Sequence, residues 1–239
     1  TPSLVVAGTA VEGQPNGYDA VAAINTLNIL LGNVGKTIEA STQFPEAQMR
    51  PRLGSTKDLL DFADAAGNKE FDVAFFYNTN PVHTAPAAID LKNKLKNVPF
   101  KVAMTQFPDE TAMEADLVLP MASPLEDWGT HVPATQTDKV VMSFQQPLME
   151  PIYDGVRGFG DVMLDMLKMR REGEYGQFKD YYGYLKTAMV NMPASVTGSS
   201  VGEDKEAYWN QLLQTGVLPV QGQRGRLNPT TVALNVPTP

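Results

Sequence analysis

Cysteine is absent from the 239-residue sequence. No disulfide, thiolate zinc site or cysteine-ligated iron–sulfur cluster can therefore form within it. Histidine is scarce: only His83 and His131 are present. Neither has a second ligand at metal-binding spacing, which excludes a histidine-rich metal site. No apolar run approaches the ~20 residues that span a bilayer. Thr1-Pro2 runs straight into SLVVAG, with no initiator Met and no signal-type segment in these residues, and reads as the start of a fragment or a processed chain. Basic charge is also short, 19 Lys and Arg against 27 Asp and Glu, for a net charge of −8. That balance argues against a nucleic-acid partner, because phosphate backbones select basic surfaces. The acid is spread along the chain and reads as a solvated surface.

What is present is an alternation. The stretch Phe71 to Gly129 holds three short apolar runs, Val73 to Tyr77, Phe100 to Met104 and Ala115 to Pro120. Each is too short for a typical helix and rich in β-branched or aromatic residues, which predicts buried strands. Helical spacing separates them, at Ala85 to Lys96 and Asp109 to Glu114. Strand–helix–strand units of this kind build a parallel sheet. The expected class is α/β: a three-layer, doubly wound, mostly parallel sheet of Rossmann-like type, with additional C-terminal helices. Earlier in the chain, residues 3–8 read as a strand, Tyr18 to Leu31 as a helix, and Lys57 to Ala66 as a helix capped by Ser55 or Thr56. Residues 129–151 read mainly as irregular, with an extended segment at Val140 to Phe144. Helices are predicted over 157–171, 175–192 and 203–214. Prolines and glycines recur through 217–239, which predicts an extended tail. The domain expectation is 1–170 as the α/β body, 171–216 as helices packed on it, and 217–239 as the tail.

In parallel sheets, ligands sit beyond the carboxyl ends of the strands. Here those loops are Asn78 to Pro81, Thr105 to Thr111 and Met121 to Pro124. Asparagine amides after a buried strand can meet the edge of a base or pterin, and they can equally make a plain turn. Gly8 to Gly17 reads as an ordinary strand–helix connection rather than a phosphate cradle, since it is neither G-x-G-x-x-G nor a Walker A loop. Asp109, Glu110, Glu114, Asp116, Glu126 and Asp127 have no His or Lys partner at a recognisable catalytic spacing and read as solvated caps. Trp128 and Trp209 read as packing residues. No catalytic residue and no metal ligand emerges.

Two motifs carry a resemblance. One is Glu110-Thr111-Ala112-Met113-Glu114-Ala115-Asp116-Leu117-Val118-Leu119-Pro120, followed by Glu126 and Gly129; it comes after the strand and Asn78-Thr79-Asn80-Pro81. The other is Ala23 to Lys36, of the form A-x-N-x-L-x-x-L-x-G-N-x-G-K. Together they resemble the molybdopterin oxidoreductases of the dimethyl sulfoxide reductase superfamily, over roughly residues 3–216. Glu126 to Gly129, Gln146 to Asp154 and Gly160 to Val162 look most like the large iron–sulfur/molybdopterin-like subunit of alternative complex III. Polysulfide and tetrathionate reductase catalytic subunits are the neighbouring likeness. The resemblance implies the third domain of a longer respiratory-type oxidoreductase. That domain holds, or once held, the guanosine end of a molybdopterin guanine dinucleotide belonging to the full-length protein; the domain alone is neither catalytic nor expected to bind the cofactor. By the match, Asn78, Asn80, Pro81, Thr105, Gln106, Asp109 and Thr111 would line that pocket, although the family turn usually has glycine where Asn78 stands. Implied partners are the remainder of the parent chain and the iron–sulfur and membrane subunits of a complex, with no direct membrane insertion by this chain. The implied setting is periplasmic or membrane-associated in a bacterium. The alternative is a cofactor-free scaffold or interaction domain of a quinol-oxidising complex. A free-standing nucleotide-binding enzyme fits less well.

Overall fold

The computed structural model describes residues 2–12, 14, 16–40, 42–43, 53–133, 140–197, 202 and 204–224. In chain order the elements are α1 (Thr9–Glu12), α2 (Gly17–Leu30), β1 (Thr42–Gln43), α3 (Thr56–Gly67), β2 (Val73–Tyr77), α4 (Pro81–Thr84), a 3₁₀ turn (Ala87–Ile89), α5 (Leu91–Leu95), β3 (Phe100–Thr105), α6 (Glu110–Met113), β4 (Leu117–Pro120), β5 (Gly129–His131), β6 (Val140–Gln145), α7 (Phe159–Arg170), α8 (Glu172–Tyr175), α9 (Tyr181–Val190), α10 (Ala194–Thr197), α11 (Lys205–Thr215), β7 (Val217–Val220) and β8 (Gln223–Arg224). The chain forms two compact units. One comprises Thr1–Arg50, Thr135–Val141 and Pro219–Pro239; the other comprises Pro51–Ala134 and Met142–Leu218.

In the first unit, the predicted strand at residues 3–8 is not a strand. Its central residue is held by a side chain instead of a sheet. The Asn28 amide donates to the Val5 carbonyl at 2.8 Å and accepts from the Val5 N–H at 3.0 Å. Asn33 Nδ2 donates to Asn28 Oδ1 at 2.8 Å, and Ser3 Oγ donates to Asn33 Oδ1 at 2.9 Å. Both asparagines are almost fully buried, so every polar group they bring inside finds a partner. Asn28, at a variable position of the A-x-N-x-L-x-x-L-x-G-N-x-G-K pattern, and Asn33, its second fixed asparagine, thus clasp the extended segment. β1 and β8 pair antiparallel in this unit.

The second unit carries the α/β fold. β2, β3 and β4 form a parallel sheet in sequential order, with Tyr77 opposite Met104 and Met104 opposite Leu119. Side chains alternate across the strands. Ala74 and Phe76 face α3 and α5, in a core with Ala63, Ala66, Ile89, Leu91, Leu95 and Val98. Val102, Met104 and Met121 face the other way, against Phe159, Val162 and Met163 of α7. Ser55 starts α3 with a reciprocal capping box to Asp58, an arrangement worth ~1 kcal/mol. A second sheet has the order β5-β6-β7.

Four further expectations meet corrections here. The helix predicted over Ala85 to Lys96 is broken, because Asp90 takes a left-handed conformation with φ of 52°, which a helix interior does not accommodate. Likewise, the helix predicted over 175–192 starts later, at Tyr181, and runs to Val190; Asp180 caps it by accepting from the Gly183 N–H at 2.9 Å. Within 129–151, the extended segment predicted at Val140 to Phe144 is the strand β6, and Gly129–His131 adds an unpredicted strand, β5. In the predicted tail, Val217–Val220 is the strand β7 and Gln223–Arg224 is β8. The remainder of that stretch, 225–239, lies outside the described residues.

One ion pair, between a buried lysine and a partly exposed aspartate, makes a pH-dependent contribution. Lys101 is 9% exposed. Its Nζ donates to the Val98 carbonyl at 3.1 Å and meets Asp116 Oδ2 at 2.8 Å, and its N–H donates to the same carboxylate at 2.7 Å. These bonds from Lys101, side chain first, hold the Asp116 carboxyl below the usual aspartate range. A depressed folded-state pKa gives stability that is complete above the ordinary range and lost as pH falls through the lower folded value. The expected result is a steeper acid-induced fall in melting midpoint for the native chain than for Asp116→Asn, measured calorimetrically from neutral pH downward. Parallel curves would show that the pair contributes nothing.

Candidate functional site

At the carboxyl edge of the parallel sheet lies a cavity of about 520 Å³, wholly within the second unit. β2 ends in Tyr77 and is followed by Asn78, β3 leads to Gln106, and the chain after β4 supplies Ala122, Ser123, Asp127 and Trp128, all in the wall. β5, β6 and the starts of α7 and α9 close the remaining sides. The α7 start is brought there by main-chain bonds: Arg157 N–H donates to Pro120 O at 3.2 Å, and Ala122 N–H donates to Arg157 O at 2.9 Å. Tyr77 then stacks on Phe159 with ring centroids 4.0 Å apart.

Two glycines make this wall possible by close approach. A Cβ on Gly158 would sit 2.1 Å from Asp127 Oδ1, and one on Gly160 would sit 2.3 Å from the Tyr181 ring. Asp127 lies against Gly158 with both oxygens engaged. Oδ1 accepts from the Trp128 N–H at 2.8 Å, and Oδ2 accepts from the Phe159 N–H at 3.2 Å. Burial pushes its carboxyl up, opposed by the Trp128 N–H and reinforced by the charge of Asp161. Asp161 Oδ1 in turn accepts from the Tyr181 N–H at 2.7 Å. Burial also raises the Tyr77 and Tyr181 phenols, with the Asp127 charge adding to both.

Of the residues singled out from the sequence, Asn78 and Gln106 line this cavity. Asn78 has φ of 47°, the left-handed region in which glycine and asparagine are the tolerated residues. That explains a glycine-or-asparagine position after β2. The other five are engaged in holding the loops. Asn80 Oδ1 accepts from Thr111 N–H at 3.2 Å and from Thr111 Oγ1 at 2.8 Å, and its Nδ2 donates to Glu110 Oε2 at 2.6 Å. That last bond is the main reason the Glu110 carboxyl lies below its usual range. Pro81 opens α4 at its first turn, Asp109 caps α6 through the Ala112 N–H at 2.8 Å, and Thr105 Oγ1 bonds both polar main-chain groups of Phe107. Truncation of Asn80 to alanine removes the acceptor for two donors of Thr111, which is 2% exposed. The expected cost is about 1–3 kcal/mol, read as a lower denaturant midpoint. A wild-type midpoint would contradict this staple.

Sequence reasoning passed over Asp127, Trp128, Thr130 and Tyr181, or read them as caps and packing. The signal that marks them is the Gly158-Phe159-Gly160 run at a helix start, where two positions leave room for side chains from elsewhere. Trp128 is both wall and packing. Its ring lies 4.7 Å from Tyr182 and 6.4 Å from Trp209. Among the described residues, no cluster of His, Asp or Glu suits a metal ion, and no helix is long and apolar enough to cross a membrane.

In open parallel α/β sheets ligands characteristically sit beyond the carboxyl ends of the strands, and this polar, aromatic-walled cavity lies there. Residues 1–154 match the family model for molybdopterin oxidoreductases. The chain belongs to the molybdopterin oxidoreductase family. It is similar to the menaquinone reductase, molybdopterin-binding-like subunit of Nitratidesulfovibrio vulgaris, with 32% identity over 169 residues, covering 67% of this chain and 24% of the relative. The chain thus spans about a quarter of the length of that curated relative.

Proposed function

We propose that this chain provides the domain that holds the nucleoside end of a molybdopterin guanine dinucleotide in a multi-subunit, respiratory-type oxidoreductase. The observation that carries the reading is the cavity itself. Its volume falls in the ~300–1,000 Å³ range of small-ligand sites, and among the described residues its wall offers amides, hydroxyls, one carboxylate and aromatic rings but no Lys or Arg. Those groups fit a base and ribose. They do not fit a pyrophosphate, which calls for cations or free main-chain N–H groups, and here the Phe159 N–H already serves Asp127. In this reading the phosphates lie outside the cavity and are held by other parts of the parent protein. The bound cofactor supplies the redox-active metal centre; Asn78, Gln106, Asp127 and Thr130 bind and orient its nucleoside and exclude water from it. The relative's name, a subunit of a menaquinone reductase, supports a place in a multi-subunit, quinone-linked assembly; iron–sulfur and membrane subunits are the partners we propose for it.

A second reading, a cofactor-free scaffold, is favoured by one observation. Val73, Phe75, Phe100 and Leu117 lie on one face of the parallel sheet by strand register and are each between 41% and 49% exposed, a patch suited to another polypeptide. Denaturing the full-length protein and analysing what it releases separates the two. Molybdenum or tungsten together with a guanine dinucleotide is expected. Iron and sulfide with neither would favour the scaffold.

A further inference from the structure

We infer that Asp127 is the specificity-determining residue of the cavity, and that it reads the adjacent ring N–H and amino donors of a 2-amino-4-oxo pyrimidine edge. The inference rests on the proposed nucleoside-binding role and adds which edge is read and by what. The neutral amides in the wall are partly committed: Gln106 Nε2 donates to Ala122 O at 3.3 Å, and Gln145 Nε2 donates to Asp127 O at 3.1 Å. Thr130 bonds the Tyr181 hydroxyl. Among the described residues, Asp127 is the one carboxylate of the wall. Each of its oxygens holds a single main-chain N–H, while a carboxylate accepts about four bonds in all. Those two anchors, with the Gly158 backbone pressed against it, fix its orientation before a ligand arrives, which lowers the ordering cost of binding.

A fixed pair of acceptor oxygens suits two donors side by side. Guanine presents them as N1–H and the 2-amino group. Adenine sets an amino group beside a bare ring nitrogen, so one carboxylate oxygen would face a lone pair. Inosine keeps N1–H but lacks the amino group. A pterin carries the same 2-amino-4-oxo edge as guanine, so the shared chemistry has two sources. The reading also needs the ionised carboxylate, because a protonated Asp127 would turn an oxygen into a donor. The titratable groups around it are Asp161 on α7, Tyr77 on β2, Tyr181 on α9 and His131 on β5. Burial sets the loss of the ionised form at a pH above the usual aspartate range.

Titration calorimetry of the chain with guanosine, inosine, adenosine and neopterin tests this. The native chain should bind guanosine about tenfold more tightly than inosine, the effect of one hydrogen bond to a charged group, and adenosine more weakly still. In Asp127→Asn the guanosine-to-inosine ratio should fall to about one. A merely structural role would weaken both ligands alike and leave the ratio standing. Guanosine affinity should also decline on acidification in the native chain and not in the variant. A native chain that binds guanosine and inosine equally overturns the inference and leaves the nucleoside-binding role intact. Absence of binding to all four overturns both. Tighter binding of neopterin than guanosine would move the cavity's occupant to the pterin end and leave the Asp127 assignment standing.

Discussion

Replacement of Trp209 by alanine is expected to remove about 3–5 kcal/mol of stability, the range for truncating a buried aromatic. Trp209 is fully buried, with none of its surface exposed. It packs edge-on against Phe144 at 6.0 Å and against Tyr182 at 5.9 Å, and its Nε1–H donates to the Tyr182 hydroxyl at 3.1 Å. Alanine would leave a cavity in a region that cannot collapse easily, because its neighbours belong to β6, α9 and the loop after β4. For a domain stabilised by roughly 5–15 kcal/mol, that is about a fifth or more of the total. At ~2–4 °C per kcal/mol for a chain of this size, the melting midpoint should fall by roughly 10 °C. Trp209→Phe should cost less, because it keeps most of the volume and loses the hydrogen bond. The damage should also reach the cavity, since Trp128 stands between this cluster and the wall. A Trp209→Ala midpoint within a degree or two of native would show that the cluster is not a core.

Alanine at Gly158 should have the next largest effect, and it should fall on the site. The added methyl would lie 2.1 Å from Asp127 Oδ1 and 2.6 Å from Oδ2, distances that no side chain tolerates. Either the carboxylate swings away or α7 shifts. Overpacking of this kind costs about 1–3 kcal/mol. Either movement also breaks the Asp127 bond to the Phe159 N–H, the first anchor of α7. Gly160→Ala presses on the Tyr181 ring in the same way, at 2.3 Å. Both variants should melt earlier and lose guanosine binding in calorimetry. Alanine at Gly173, where a Cβ meets nothing within 4 Å, is the control and should behave as native. Native-like binding by Gly158→Ala would mean that Asp127 is not held as described.

The parallel sheet was legible because its strands are short, apolar and β-branched or aromatic, and because helical spacing separates them. Val73 to Tyr77 follows this rule residue for residue. The clasp on residues 3–8 was not legible: an extended apolar segment satisfied by asparagine side chains has the same local pattern as a strand. The break at Asp90 was hidden for a related reason, since an acidic residue amid apolar ones suits a helix surface as well as a left-handed turn. At the site, proximity to strand ends pointed to Asn78 and Gln106, which line the cavity. It pointed equally to Asn80 and Thr111, which hold one another. Sequence position cannot separate those two kinds of loop residue, because the difference lies in which way an amide points. Asp127 and Tyr181 come together only through the return of the chain at Arg157 to the end of β4, a contact that no local pattern encodes.

The most direct test of the central reading is a two-dimensional amide and side-chain NMR titration of the chain with guanosine. If the cavity holds the nucleoside, the largest shifts should fall on Asn78, Gln106, Thr130 and the Asp127–Trp128 and Gly158–Gly160 backbones, with Asn80 and Thr111 little changed. Shifts centred on Asn80, Pro81 and Thr111, or no shifts at saturating guanosine, would contradict it.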